Sequence, residues 1–183
     1  MKYFTPERLA RLQDHSDERQ FLAALDEWER VLQDYWHQLN EIQQRLRVIQ
    51  PPLPKRLQEF LIFFTTVSLH DARILDMYFG SRSRFRITLH PEFQPESLVV
   101  LTYHLDEPPQ IQANVLPEQL LSQPISWLYD EVTLEDNKSR CEPLFRHSIL
   151  LSDGREVGLC FRDVTIERPT PIVPAIAKDH GSP

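Results

Sequence analysis

The sequence predicts an α+β fold: an N-terminal hairpin built around one long helix, followed by a mostly antiparallel β-sheet or sandwich. Three observations carry that prediction. Apolar residues recur every three or four positions as far as residue 68, and at alternate positions from Leu69 onward, which marks a change from helical to extended periodicity. The third observation is that the fifteen prolines cluster at Pro51-Pro52-Leu53-Pro54, Pro108-Pro109 and Pro169 to Pro174, where they interrupt helices and strand ladders. A helical hairpin segment over 1–68, an antiparallel β domain over 69–168 and a proline-rich flexible tail over 169–183 follow.

Thr5 before Pro6 opens a first helix to about Gln13. The hydroxyl accepts an orphan amide, and proline at the first helical position loses no hydrogen bond. Asp14-His15-Ser16 breaks this helix, and Ser16 is expected to cap a second one whose first turn holds Asp17 and Glu18, favourable at the positive end of the helix dipole. Phe21, Leu25, Trp28, Leu32, Tyr35, Leu39, Ile42, Leu46 and Ile49 fall on one stripe, so the second helix should run to about Ile49. Leu22, Ala24, Val31 and Trp36 widen the stripe in its first half, as in a core helix. Beyond Trp36 it narrows to Leu39, Ile42, Leu46 and Ile49, a seam suited to one helical neighbour or to a second copy in a homodimer. Pro54 opens a third helix, Lys55 to about Thr66, with Leu57, Phe60, Leu61 and Phe64 on one face, and an antiparallel pair of helices results.

Seven strands are expected at Ala72–Phe79, Arg84–His90, Leu98–Leu105, Gln110–Val115, Ser126–Glu135, Leu144–Ser152 and Arg155–Glu167, with one helical turn at Pro117–Leu121. Phe85, Ile87 and Leu89 alternate with polar residues, as in a sheet with one wet face. Gly80-Ser81-Arg82-Ser83 and Ser152-Asp153-Gly154-Arg155 read as hairpin turns. Taking the second as a two-residue loop sets His147 across from Cys160 and Arg146 across from Phe161.

Composition excludes several function classes. The formal charge is −7, of which −6 falls in residues 69–168, so the basic footprint that nucleic acid requires is missing. The longest apolar run, Phe60 to Phe64, is far short of the roughly 20 residues that cross a bilayer. Four glycines, none spaced as a phosphate-cradling loop, argue against nucleotide cofactors. No cofactor is expected. Two cysteines in a chain this long require no disulfide, and the first residues lack a signal-peptide pattern, so a cytoplasmic location is expected.

The polar residues offer few candidates for chemistry. Ser68-Leu69-His70-Asp71-Ala72 stands where helices hand over to the sheet. A carboxylate beside an imidazole suggests a base and its orienter, although neighbours in a strand face opposite sides and would not pair. His70, Asp71, Arg73, His147, Trp127 and Tyr129 are the candidate binding residues, the last two as an aromatic surface on one strand face. No catalytic residue is assigned, because no Gly-x-Ser-x-Gly elbow occurs. No metal site is expected either: an antiparallel hairpin would set His104 opposite the start of the preceding strand and His90 near its end, roughly 20 Å apart.

Met1-Lys2-Tyr3-Phe4-Thr5, the tryptophan-bearing helix, Leu69-His70-Asp71-Ala72 and the stretches Phe145–Gly154 and Phe161–Val164 together resemble a family of uncharacterised bacterial proteins. That resemblance implies no activity. The Leu-His-Asp entry into a sheet is also similar to some immunity proteins that neutralise bacterial toxins, which implies partner binding. The expectation is a non-enzymatic protein-binding module, with inhibition of a basic partner through its acidic β half as the finer form of that expectation. The alternatives are a small hydrolase or small-ligand binder with a pocket near His70, Asp71 and His147, and a structural oligomer assembled through the long helix.

Overall fold

A computed structural model describes residues 1–48, 53–67, 69–80, 83–92, 97–114, 116, 121, 123–135 and 143–168. It contains helices α1 (Pro6–Gln13), α2 (Glu18–Arg47) and α3 (Lys55–Thr66), then strands β1 (Arg73–Gly80), β2 (Arg84–His90), β3 (Val99–Leu105), β4 (Gln110–Ala113), β5 (Trp127–Glu135), β6 (Leu144–Leu151) and β7 (Arg155–Glu167). The fold is α+β, as the periodicity predicts. Ile49, Cys141, Ser81, Arg82, the expected turn at 117–120 and the tail at 169–183 lie outside the described residues.

Thr5 caps α1, its hydroxyl accepting from the Arg8 amide. At the start of α2 the cap is Asp17, not Ser16: Asp17 Oδ1 accepts from the Arg19 and Gln20 amides at 2.9 and 3.1 Å. Ser16 instead donates to Asp14 through both its amide and its hydroxyl. A carboxylate at the positive helix end gains from the dipole as well as from the amides.

The apolar stripe of α2 is buried differently from its sequence reading. Tyr35, Leu39, Ile42 and Leu46 enter the main core, whereas Leu22, Leu25 and Trp36 in the expected broad half are exposed. Leu39, Ile42 and Leu46 are therefore covered by the chain's own core, which corrects the expectation that they form an open seam for a second copy. The narrow stripe joins the core cluster that α3 and the sheet also supply. Each large apolar group buried there contributes on the order of 1.5–3 kcal/mol.

All seven strands belong to one sheet, ordered β1-β2-β3-β7-β6-β5, with β4 also pairing with β7. Every pairing is antiparallel. Arg84 faces His104 across β2 and β3, the register expected from the sequence. The two ends of the strand order meet: the Asp71 amide donates to the Trp127 carbonyl, Trp127 to Ala72, and Ile74 to Ile125, at 2.8–2.9 Å. The sheet thus closes at one corner around α3, whose Phe60 contacts Tyr103, His147 and Phe161 on three strands. Farther along β5, α2 covers the open edge. The Val132 amide donates to the Tyr35 hydroxyl at 3.1 Å, and the Gln38 side chain donates to the Val132 carbonyl, so buried backbone groups stay paired.

Two local irregularities change which side chains meet. The β6–β7 loop has three residues: the Gly154 amide donates to the Leu151 carbonyl, and Gly154 takes φ +85°. This is the turn-plus-bulge form of a hairpin, one residue longer than the two-residue form. Cys160 therefore lies opposite Arg146, and His147 opposite Leu159, which corrects the expected His147–Cys160 pair by one position. In β5 a bulge at Leu128 places Trp127 opposite Leu151 and Tyr129 opposite Leu150. Trp127 and Tyr129 consequently point to opposite faces, and no shared aromatic face exists.

Candidate functional site

The bulge at Leu128 builds the site. With one extra residue in the strand, Trp127, Asp130 and Val132 share the inner face, opposite Leu151, Ile149 and His147, while Tyr129 faces outward beside Phe4 and Trp28. The Trp127 indole N–H donates to Asp130 Oδ1 at 2.9 Å. His147 Nε2 lies 3.1 Å from Asp130 Oδ2, and His147 Nδ1 lies 2.9 Å from the Tyr103 hydroxyl.

Burial holds the Tyr103 hydroxyl well above its ordinary titration range, so it remains a phenol and a donor. His147 thus joins Tyr103 to Asp130 through its two ring nitrogens, Nδ1 facing the hydroxyl and Nε2 the carboxylate. Both carboxylate oxygens are thus engaged, Oδ1 by the Trp127 indole N–H and Oδ2 by His147 Nε2. His147 itself is 0% exposed, enclosed by the rings of Phe60, Phe64, Trp127 and Tyr103.

Asp130 forms part of the floor of a cleft of about 380 Å³ between α2, the end of α3 and β5. Phe4, Leu32, Tyr35, Trp36, Phe64, Val67, Leu69 and Tyr129 supply its walls, with Thr66 and His70 at the polar margin. The Asp130 side chain retains 18% exposure there. Its electrostatic position differs from that of several neighbouring carboxylates, although Glu131 beside it on β5 also lacks an arginine and accepts instead from the backbone amides of Lys2, Tyr3 and Phe4. Asp76, Asp106, Glu107, Glu135, Asp153 and Asp163 each meet an arginine, and Glu156 meets the amino group of Met1. Among the described residues, no arginine or lysine reaches Asp130.

His70 and Asp71 stand beside this cleft and do pair, Nδ1 to Oδ2 at 2.6 Å. The expectation that neighbours cannot pair is corrected by backbone conformation: Asp71 has φ +64° and belongs to a turn preceding β1, so strand alternation does not apply. The His70 ring also contacts Tyr129 at 4.8 Å. Of the sequence candidates, His70 and Tyr129 line the cleft, Trp127 and His147 support it from inside, Asp71 orients His70, and Arg73 lies apart on β1 opposite His90. His147 has no face on the cleft.

Asp130 is the residue that sequence reasoning missed. Its only signal is the spacing Trp127-x-x-Asp130, which places the two on one face only when a bulge intervenes. Cys160 is buried, and burial followed by the Glu107 charge pushes its thiol up, away from the thiolate that nucleophilic chemistry needs. Among the described residues no group of three or more His, Cys, Asp or Glu side chains is placed to hold a metal ion. No helix among them is long and apolar enough to cross a membrane. Neither a protein-family model nor the sequence of a curated protein matches this chain.

Proposed function

We propose that the protein is a non-enzymatic protein-binding module for a basic partner, which docks over the cleft and brings a cationic side chain to Asp130. The observation that carries this reading is a part-exposed carboxylate in the lining of an aromatic-walled cleft that no arginine or lysine among the described residues reaches. A carboxylate in such surroundings gains more from a cation than one on an open surface does. The acidic excess of residues 69–168 supports it by favouring encounter with a basic protein. Inhibition of that partner, in the manner of an immunity protein, belongs to the same proposal. On cysteine usage alone, we assign the protein to the cytoplasm.

Selection of random displayed peptides on the intact chain tests this reading. Sequences rich in arginine or lysine should be enriched, and Asp130→Asn should remove the enrichment. Enrichment of acidic or purely apolar sequences contradicts it. The His70–Asp71 pair favours a second reading, a small-ligand binder or hydrolase at the same cleft, in which Asp71 orients the imidazole. Turnover of an activated ester that disappears in His70→Ala supports that alternative, and unchanged background hydrolysis rejects it.

A further inference from the structure

We propose that the cleft over Asp130 is a guanidinium seat, selective for arginine over lysine. This rests on the basic-partner reading and names the side chain that reading leaves open. Three features favour a planar fork over a compact ammonium. First, Asp130 Oδ1 and Oδ2 are each engaged once, by the Trp127 indole N–H and by His147 Nε2, and each oxygen has further acceptor capacity. Two parallel N–H bonds from a guanidinium use both oxygens at once. Second, the walls of the cleft are aromatic and aliphatic, with Phe64, Trp36 and Tyr129 in the same lining as Asp130. A guanidinium stacks on such rings and is weakly hydrated, whereas an ammonium asks for three acceptors that this lining does not converge on it.

Third, the carboxylate is held in place. Trp127 is fully buried, and His147 is fixed between Tyr103 and the rings of Phe60 and Phe64, so little ordering accompanies binding. Trp36, 45% exposed on α2, is the one tryptophan of the lining and stands where a stacked guanidinium would alter its fluorescence. The cleft volume of about 380 Å³ lies within the range of small-ligand sites, so a long side chain can enter without the sheet opening.

The test titrates labelled hexa-arginine and hexa-lysine peptides into the intact chain, with Asp130→Asn and Trp36→Ala variants alongside. Hexa-arginine should bind about tenfold tighter than hexa-lysine, and each variant should reduce that preference. Trp36→Ala replaces a half-exposed side chain and keeps the test valid if Asp130→Asn fails to fold. If neither peptide binds, the basic-partner reading falls. Equal binding of both peptides, unaffected by either variant, leaves a basic partner standing and overturns the seat. Equal binding that Asp130→Asn weakens for both keeps a cation at Asp130 and overturns selectivity for arginine.

Discussion

Tyr35 and Tyr103 each use a buried hydroxyl, one accepting from the edge of β5 and the other hydrogen-bonded to His147 Nδ1. Burial raises both phenols above the ordinary value of 10, with the Asp130 charge adding to the effect. Because the folded-state values lie above the unfolded one, their contribution to stability is complete below about pH 10 and declines as pH rises above it. The loss is about 1.4 kcal/mol per pH unit for each fully buried phenol. Of the five tyrosines, these two should therefore show phenolate absorbance only as the chain unfolds at high pH. Complete tyrosine ionisation before the loss of tertiary circular dichroism contradicts this. At this scale the sequence marked His70, Tyr129, Trp127 and His147 but not Asp130, since a period-two count puts Asp130 on the face opposite Trp127. The bulge that reverses the count leaves no mark in the residue types.

Helix and strand positions were far more legible, because apolar spacing reports the period of the backbone directly. α3 agrees at both ends, and the strands agree within one or two residues. What periodicity does not report is a single inserted residue. Counting across Asp153-Gly154 therefore missed the three-residue loop, and the choice between two adjacent capping residues went the wrong way. The caps separate by mutation: Asp17→Ala should cost about 1 kcal/mol of stability, and Ser16→Ala should stay within about 0.5 kcal/mol. Denaturant midpoints measure both, and the reverse order contradicts the cap geometry. Gly154 is constrained in the same region. Its backbone is left-handed, and an added Cβ would collide with the Asn114 carbonyl oxygen of the segment after β4, so the loop that sets the β6–β7 register also fits against its neighbour.

Helices and sheet share one core, with Leu39, Ile42 and Leu46 packed into the cluster that contains Phe60, Leu101 and Phe161. An aspartate at Leu39 or Leu46 would leave a carboxylate buried without a partner, at a cost of several kcal/mol. Leu39→Asp and Leu46→Asp should thus lower the thermal midpoint sharply or prevent folding. A folded variant with an unchanged midpoint and half the native mass in solution would instead restore the helical seam. The whole-molecule shape was the least legible level, because closure between β1 and β5 depends on backbone bonds at Asp71, Ala72 and Ile74 that any residue type can make.

β7 lies at the centre of this architecture, bonded to β3 and β4 along one side and to β6 along the other. A chain emerging from the ribosome makes its helices and the β1–β2–β3 meander long before that strand exists. Until Glu167 has been synthesised, the edge of β3 that pairs with β7 has no partner. A chain that stops before Arg155 is therefore expected to leave β3, β4 and β6 each with an unpaired edge and to be cleaved by protease faster than the intact chain, which limited proteolysis measures.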